Sequence, residues 1–141
     1  RGLGDVYKRQ IIPHVMEYVR SQLPASDKPQ YLVDTYCGSG LFALSLAPLF
    51  DKVAGVEISA SSIECAKENA RQNHILNADF LAGEAENIFS KISFPRAQTT
   101  VVIDPPRRGC DQAFIDQLVA LRPRNIIYVS CNVHVRRLFL Q

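Results

Sequence analysis

The sequence predicts an α/β fold built on a doubly wound parallel sheet, and three observations predict it. Five short β-branched runs alternate with longer stretches of helical periodicity, the signature of strands joined by crossover helices. The runs Val101–Ile103 and Ile126–Val129 are apolar without interruption, as strands covered on both faces are. Glycine, acidic and nucleophilic residues gather just after the strands, where open α/β sheets bind their ligands.

The elements follow in order. A first helix is expected over Ile11–Leu23, because Val15, Tyr18, Val19 and Leu23 recur at spacings of three and four. The first strand is Tyr31–Tyr36, followed by a helix over Gly40–Leu49. The second strand, Lys52–Glu57, leads into a helix over Ser59–Asn73. Ser59 caps that helix, and Ile63 and Ala66 form part of its apolar face. A third strand at Ala78–Leu81 precedes a helix predicted over Glu84–Lys91. The fourth strand is Thr99–Asp104. Asp111 then caps a helix running to Leu121 that carries Phe114, Ile115 and Leu118, and Asn125–Ser130 is the fifth strand.

Composition narrows the class. The chain has 141 residues, 47% hydrophobic and 21% charged, with a net charge of +2. That is enough for one domain with its own core, and it excludes wholly disordered, collagen-like and coiled-coil chains. The most apolar run, Leu41–Phe50, is broken by Ser45 and Pro48 and falls short of the about 20 residues of a membrane span. The four cysteines, Cys37, Cys65, Cys110 and Cys131, form no CxxC pair. No metal site is expected, and free thiols in a reducing, intracellular compartment are. No signal peptide is recognisable in RGLGDVYKRQ.

The turn after the first strand, Gly38-Ser39-Gly40-Leu41-Phe42-Ala43, fits G-x-G-x-x-G/A. Its glycines permit a tight turn and close approach of a ligand. Glu57, about 20 residues on, ends the second strand where a carboxylate accepts hydrogen bonds from ribose hydroxyls. Alone, the turn also reads as plain strand-to-helix geometry and Glu57 as a solvated strand-end charge. Asp34, Glu57, Glu84 and Asp104 together suit a cationic cofactor, since carboxylates attract a sulfonium and repel a pyrophosphate. Glu84 reads equally as a first-turn helix acid.

Asp104-Pro105-Pro106-Arg107 follows the fourth strand, and its prolines stiffen the loop. The motif is close to the D-P-P-Y of amino-group methyltransferases, but Arg107 replaces the aromatic residue that stacks on a base. Ser130-Cys131-Asn132 closes the fifth strand, and from its position Cys131 reads either as a buried core thiol or as a nucleophile. Arg107 and Arg108 read as solvated charges, phosphate ligands or thiolate stabilisers.

Asp34-Thr35-Tyr36-Cys37-Gly38-Ser39-Gly40 resembles the D-x-x-C-G-x-G signature of class I methyltransferases. Combined with G-V-E, I-D-P-P-R-R-G and Y-V-S-C-N, it is similar to the RNA uracil-5-methyltransferase family, above all the eukaryotic-type tRNA enzymes. The resemblance covers Ile11 to His134. It implies a Rossmann-like class I methyltransferase domain, incomplete on its C-terminal side, that uses S-adenosyl-L-methionine on an RNA substrate, tRNA foremost. It further implies Cys131 as the nucleophile and Tyr36, Glu57 and Asp104 as cofactor contacts, beside Gly38 and Gly40 of the turn and the strand-end acid Glu84. Alternatives are a methyltransferase acting on nitrogen, a catalytically silent nucleotide- or RNA-binding module and, more distantly, a NAD-dependent oxidoreductase.

Residues 1–10 and 135–141 do not match the family pattern, so the domain is expected over 11–134. Gln10 does not take the role of the family's glutamine contact. The chain is expected to be a fragment lacking the family's glutamate base and therefore to show no steady turnover. Its Asn125–Ser130 strand is expected at an exposed edge.

Overall fold

The computed structural model describes residues 3–84, 87, 89–129 and 135–138. The elements are α1 (Leu3–Gln22), β1 (Tyr31–Thr35), α2 (Leu41–Leu46), β2 (Lys52–Glu57), α3 (Ala60–Gln72), β3 (Ala78–Ala82), β4 (Thr99–Ile103), α4 (Gln112–Leu121), β5 (Asn125–Val129) and β6 (Val135–Leu138). The strands form one sheet in the order β3-β2-β1-β4-β5-β6. The pairs β2–β3, β1–β2, β1–β4 and β4–β5 are parallel.

Strand alternation divides the apolar side chains between two cores. Leu32, Val53, Phe80, Val102 and Ile127 face one side, where they meet Val15 and Val19 of α1, Phe42 and Leu46 of α2, and Ile63 and Ala66 of α3. Val33, Val56, Val101, Ile103 and Ile126 face the other, against Phe89 and the α4 residues Phe114 and Leu118. The sheet is therefore doubly covered. All five residues of β4 are buried, which accounts for its unbroken apolar run. Both predicted caps form: the Ser62 amide donates to Ser59 Oγ at 3.3 Å and the Phe114 amide to Asp111 Oδ1 at 2.8 Å.

Four expectations need correction. β5 is not left at an open edge, because β6 pairs with it antiparallel, Val129 opposite Val135 and Ile126 opposite Leu138. A strand end with free N–H and C=O groups pairs readily with a nearby extended segment, and an antiparallel return needs no crossover helix to announce it. α1 begins at Leu3 rather than Ile11, so it includes most of the segment read as a non-matching flank. The first crossover helix stops at Leu46, and Ala47–Leu49 continue as a 3₁₀ turn. Pro48 has no amide hydrogen with which to extend the α-helical ladder.

The predicted helix Glu84–Lys91 is the fourth. Residues 85, 86 and 88 lie outside the described residues; around them runs a series of tight turns. Asn87 N–H donates to the Glu84 carbonyl at 2.9 Å, Ser90 N–H to Asn87 at 3.1 Å and Ile92 N–H to Phe89 at 3.1 Å. The Ser90 hydroxyl also donates to the Asn87 carbonyl at 2.8 Å, the local side-chain competition that disfavours helix. No helix among the described residues is long and apolar enough to cross a membrane.

Candidate cofactor and substrate site

Strand order reverses between β1 and β4, so the crevice at their carboxyl ends is the switch point at which such sheets bind ligands. A cavity of about 370 Å³ opens there. The β1–α2 turn supplies Tyr36, Cys37, Gly38 and Ser39 to its wall, α3 supplies Cys65 and Asn69, and the β4 end supplies Asp104. A smaller cavity of about 80 Å³ lies beside it, walled by Glu57, Ile58, Gly83, Arg108 and Asp111 among others. Tyr36 lines both.

The turn owes its shape to three residues with positive φ: Tyr36 at 55°, Gly38 at 54° and Gly40 at 92°. The two glycines do different work. A Cβ on Gly38 would meet nothing within 4 Å, so this position borders open space that a ligand can enter. A Cβ on Gly40 would lie 3.2 Å from the Phe80 ring and 3.3 Å from Ala66, so Gly40 is needed for packing of the turn on the sheet and α3. Gly55 completes that arrangement: a Cβ there would come within 2.5 Å of the Phe80 ring. Phe80 thus occupies the space that Gly40 and Gly55 leave empty.

Glu57 is half-buried. Its Oε2 accepts the Gly38 amide at 3.2 Å and its Oε1 the Ser59 amide at 3.4 Å. The carboxylate thereby ties the glycine turn to the start of α3 while bordering the smaller cavity. Asp104 is half-buried on the larger one.

Asp34, grouped on sequence grounds with the acids that attract a cofactor, is fully buried beneath α2. It shares the sheet face of Leu32, and its Oδ2 accepts the Ala43 amide at 2.9 Å. Gly40, at the N-cap of α2, has no side chain to cap the helix; Asp34 reaches up from the strand and satisfies one of the free amides. Glu84 is exposed, and at that strand end Gly83 is the residue lining the smaller cavity. Arg107 and Arg108 are both exposed, with Arg108 bordering the smaller cavity.

Cys131, with Ser130 and Asn132, lies outside the described residues. β5 ends at Val129, and Tyr128 pairs with Ile103, the residue before Asp104. Of the other thiols, Cys37 is buried and its ionisation is pushed far up, first by burial and then by the charges of Asp34 and Glu57. A thiol so held stays protonated and is no nucleophile. Cys65 is exposed at the mouth of the larger cavity.

Two contributors carried no sequence signal. Asn69 Nδ2 donates to the Ser39 carbonyl at 3.0 Å, fastening α3 to the turn. Arg9, in the segment taken for a flank, lines the larger cavity from α1. Neither sits in a motif, and each meets the site only through packing of a helix.

Known proteins agree with this geometry. The chain matches the tRNA (Uracil-5-)-methyltransferase family over residues 8–140. It is 48% identical over 132 residues to a tRNA (uracil(54)-C(5))-methyltransferase of Schizosaccharomyces pombe, covering 89% of this chain and 25% of that protein. For the Saccharomyces cerevisiae protein of the same name the identity is 49%, covering 88% and 20%. The chain thus spans about a quarter or less of the length of these relatives. Among solved structures, a Pyrococcus abyssi tRNA (uracil-54, C5)-methyltransferase in complex with S-adenosyl-L-homocysteine superposes with a TM-score of 0.68 at 27% identity, covering 86% of this chain and 28% of that one. The methyltransferase domain of a bacterial Hen1 protein, at 21% identity and a TM-score of 0.66, shares the fold. The family match takes in the glycine turn, Glu57 and the Asp104 loop, and on that extent this chain belongs to the tRNA (uracil-5-)-methyltransferase family.

Proposed function

We propose that this chain binds S-adenosyl-L-methionine in the β1–β4 crevice and serves methyl transfer to carbon 5 of uridine in RNA, tRNA foremost. The observation that carries the reading is the pairing of Glu57 with Gly38 at 3.2 Å at the rim of a cavity. The carboxylate stands where a ribose would be held, and the space over Gly38 is open. Asp104, on the larger cavity, contributes the negative charge that a sulfonium favours. The identity to proteins named for uracil-54 methylation supports uridine in tRNA as the substrate.

The cofactor, when bound, supplies an electrophilic methyl group on a sulfonium. Carbon 5 of uracil has no lone pair to offer, so the ring must first be activated. That role falls to Cys131. Its thiolate adds to carbon 6, and the electrons of the 5,6 double bond move into an enolate that makes carbon 5 nucleophilic. Once carbon 5 has taken the methyl group, leaving the spent donor as a neutral thioether, a base removes the remaining carbon 5 proton; the double bond re-forms and the thiolate is expelled.

Calorimetry with S-adenosyl-L-homocysteine and with NAD tests the cofactor assignment. Binding of the first and not the second is expected, and the reverse overturns it. The nucleophile is tested with tRNA containing 5-fluorouridine and S-adenosyl-L-methionine. A gel-stable adduct should form with the native sequence and be absent in Cys131→Ser; an adduct that survives the substitution removes Cys131 from its role.

A further inference from the structure

The α3 region grips the glycine turn at two successive residues. Ahead of the helix, Glu57 accepts the Gly38 amide at 3.2 Å and the Ser59 amide at 3.4 Å. Further along the helix, Asn69 Nδ2 donates to the Ser39 carbonyl at 3.0 Å. Ala66, three residues before Asn69 and so on the same helix face, marks how closely the helix passes: a Cβ on Gly40 would stand 3.3 Å from the Ala66 methyl. That approach lets the short asparagine side chain reach the turn. Its orientation follows from its chemistry. Turned over, the amide would set Oδ1 against the Ser39 carbonyl, acceptor against acceptor. Nδ2 also lies 3.8 Å from Cys65 Sγ, one turn back, a weak acceptor.

The Ser39 carbonyl and the Gly40 amide belong to one peptide group. The carbonyl accepts from Asn69, and the amide donates to the Cys37 carbonyl at 2.8 Å, so both ends of the group are held. Turning that peptide over would carry Gly40 away from its φ of 92°. Glycine takes either sign of φ about equally readily, so Gly40 offers no resistance of its own. Tyr36, at the start of the turn, is anchored from the opposite side of the sheet, where its ring rests on Phe114 of α4 at a centroid distance of 5.1 Å. Asn69 and Ser39 line both the larger cavity and an adjoining one of about 380 Å³, walled by Leu44, Ser45 and Asn73 among others. Their hydrogen bond forms part of the partition between the two.

We infer that Asn69 is a positioning residue for cofactor binding: through the Ser39 carbonyl it fixes the 39–40 peptide, and with it the shape of the glycine turn that faces the ligand. This rests on the proposed binding of S-adenosyl-L-methionine in the crevice. Glu57 does not replace it, because its contact with the turn is at the Gly38 amide, ahead of that peptide. Without Asn69 the 39–40 peptide keeps one hydrogen bond, to Cys37.

Calorimetry with S-adenosyl-L-homocysteine on three variants tests this. Asn69→Ala removes the donor, and Asn69→Asp keeps the shape while setting a carboxylate against the carbonyl. Asn73→Ala is the control. It removes a bond of the same kind on the same helix but away from the turn, from Asn73 Nδ2 to the Asn69 carbonyl at 2.8 Å. Each Asn69 variant is expected to weaken binding about three- to ten-fold, the range for one hydrogen bond, while Asn73→Ala should bind as the native chain does. Unchanged affinity in either Asn69 variant, or an equal loss in Asn73→Ala, overturns the inference. Amide hydrogen exchange reads the same contact without ligand. The Gly40 amide should exchange faster in Asn69→Ala than in the native chain or in Asn73→Ala. Equal rates overturn the inference and assign any loss of affinity to direct contact with the ligand. Failure of the native chain to bind the cofactor product contradicts the functional proposal and leaves the exchange comparison to decide the role of Asn69.

Discussion

At the scale of single residues, the two glycines of the β1–α2 turn separate ligand binding from folding. Gly38 borders open space and Gly40 abuts Phe80. Gly38→Ala puts a methyl where the ligand would approach; it should weaken S-adenosyl-L-homocysteine binding about ten-fold or more, beyond a folding cost of about 1 kcal/mol for the left-handed backbone. Gly40→Ala adds contact with a ring to the same backbone strain and should cost about 2 kcal/mol of stability or more. Calorimetry and urea denaturation on both variants check the contrast, which equal effects would contradict. Glu57→Ala should cost about ten- to a hundred-fold in affinity for the same ligand, as loss of a charged hydrogen-bond acceptor does. The G-x-G spacing and the acid after the second strand were both legible in the chain. The division of labour between the glycines was not, because it depends on Phe80, which arrives from β3.

At the scale of elements, α2 illustrates help from outside. It is only six residues long, with a glycine N-cap, and a helix this short is marginal by itself. The buried Asp34 carboxylate on β1 accepts its third amide. Asp34→Ala leaves that donor unsatisfied and should lower stability by about 2 kcal/mol. A urea titration monitored by circular dichroism measures this; an unchanged midpoint would mean that the turn is held by other contacts. α4 is the counterpart on the opposite face. Phe114→Ala should cost about 3–5 kcal/mol as a large core truncation, and it also withdraws the ring that supports Tyr36. Crossover helices with strong apolar faces, α3 and α4, were found from periodicity to within a residue at each end. The Glu84–Lys91 segment misled because its periodicity belongs to a turn series that buries Phe89, and β6 was missed because antiparallel pairing at a sheet edge leaves no local pattern.

At the scale of the whole molecule, the raised thiols fix a direction for stability against pH. An unfolded cysteine loses its proton near the ordinary thiol value of 9.0, whereas buried Cys37 keeps its own well above that. The native state then holds more protons than the unfolded state, so stability falls as pH rises past about 9. For Cys37 alone the slope is about 1.4 kcal/mol per pH unit, and Cys110 and Tyr36 act in the same direction. Denaturant midpoints measured from pH 8 to 11 should decline accordingly; a flat profile contradicts a buried, protonated Cys37. A thiol reagent at neutral pH gives a companion test. Cys65 is exposed and Cys37 buried, so Cys65 should be modified in the native protein and Cys37 only after unfolding.

The chain by itself determined the alternation of strands and helices, the two capped crossover helices and the strand-end motifs that carry the family resemblance, because each rests on neighbours a few residues apart. Only the tertiary structure decided that Asp34 serves α2 while Glu57 and Asp104 border the cavities, that Phe80 fills the space over Gly40 and Gly55, and that the Tyr36 ring meets Phe114 of α4. Those outcomes depend on which strand lies beside which and on the face each side chain takes. Local periodicity encodes neither; the packing of the sheet sets both.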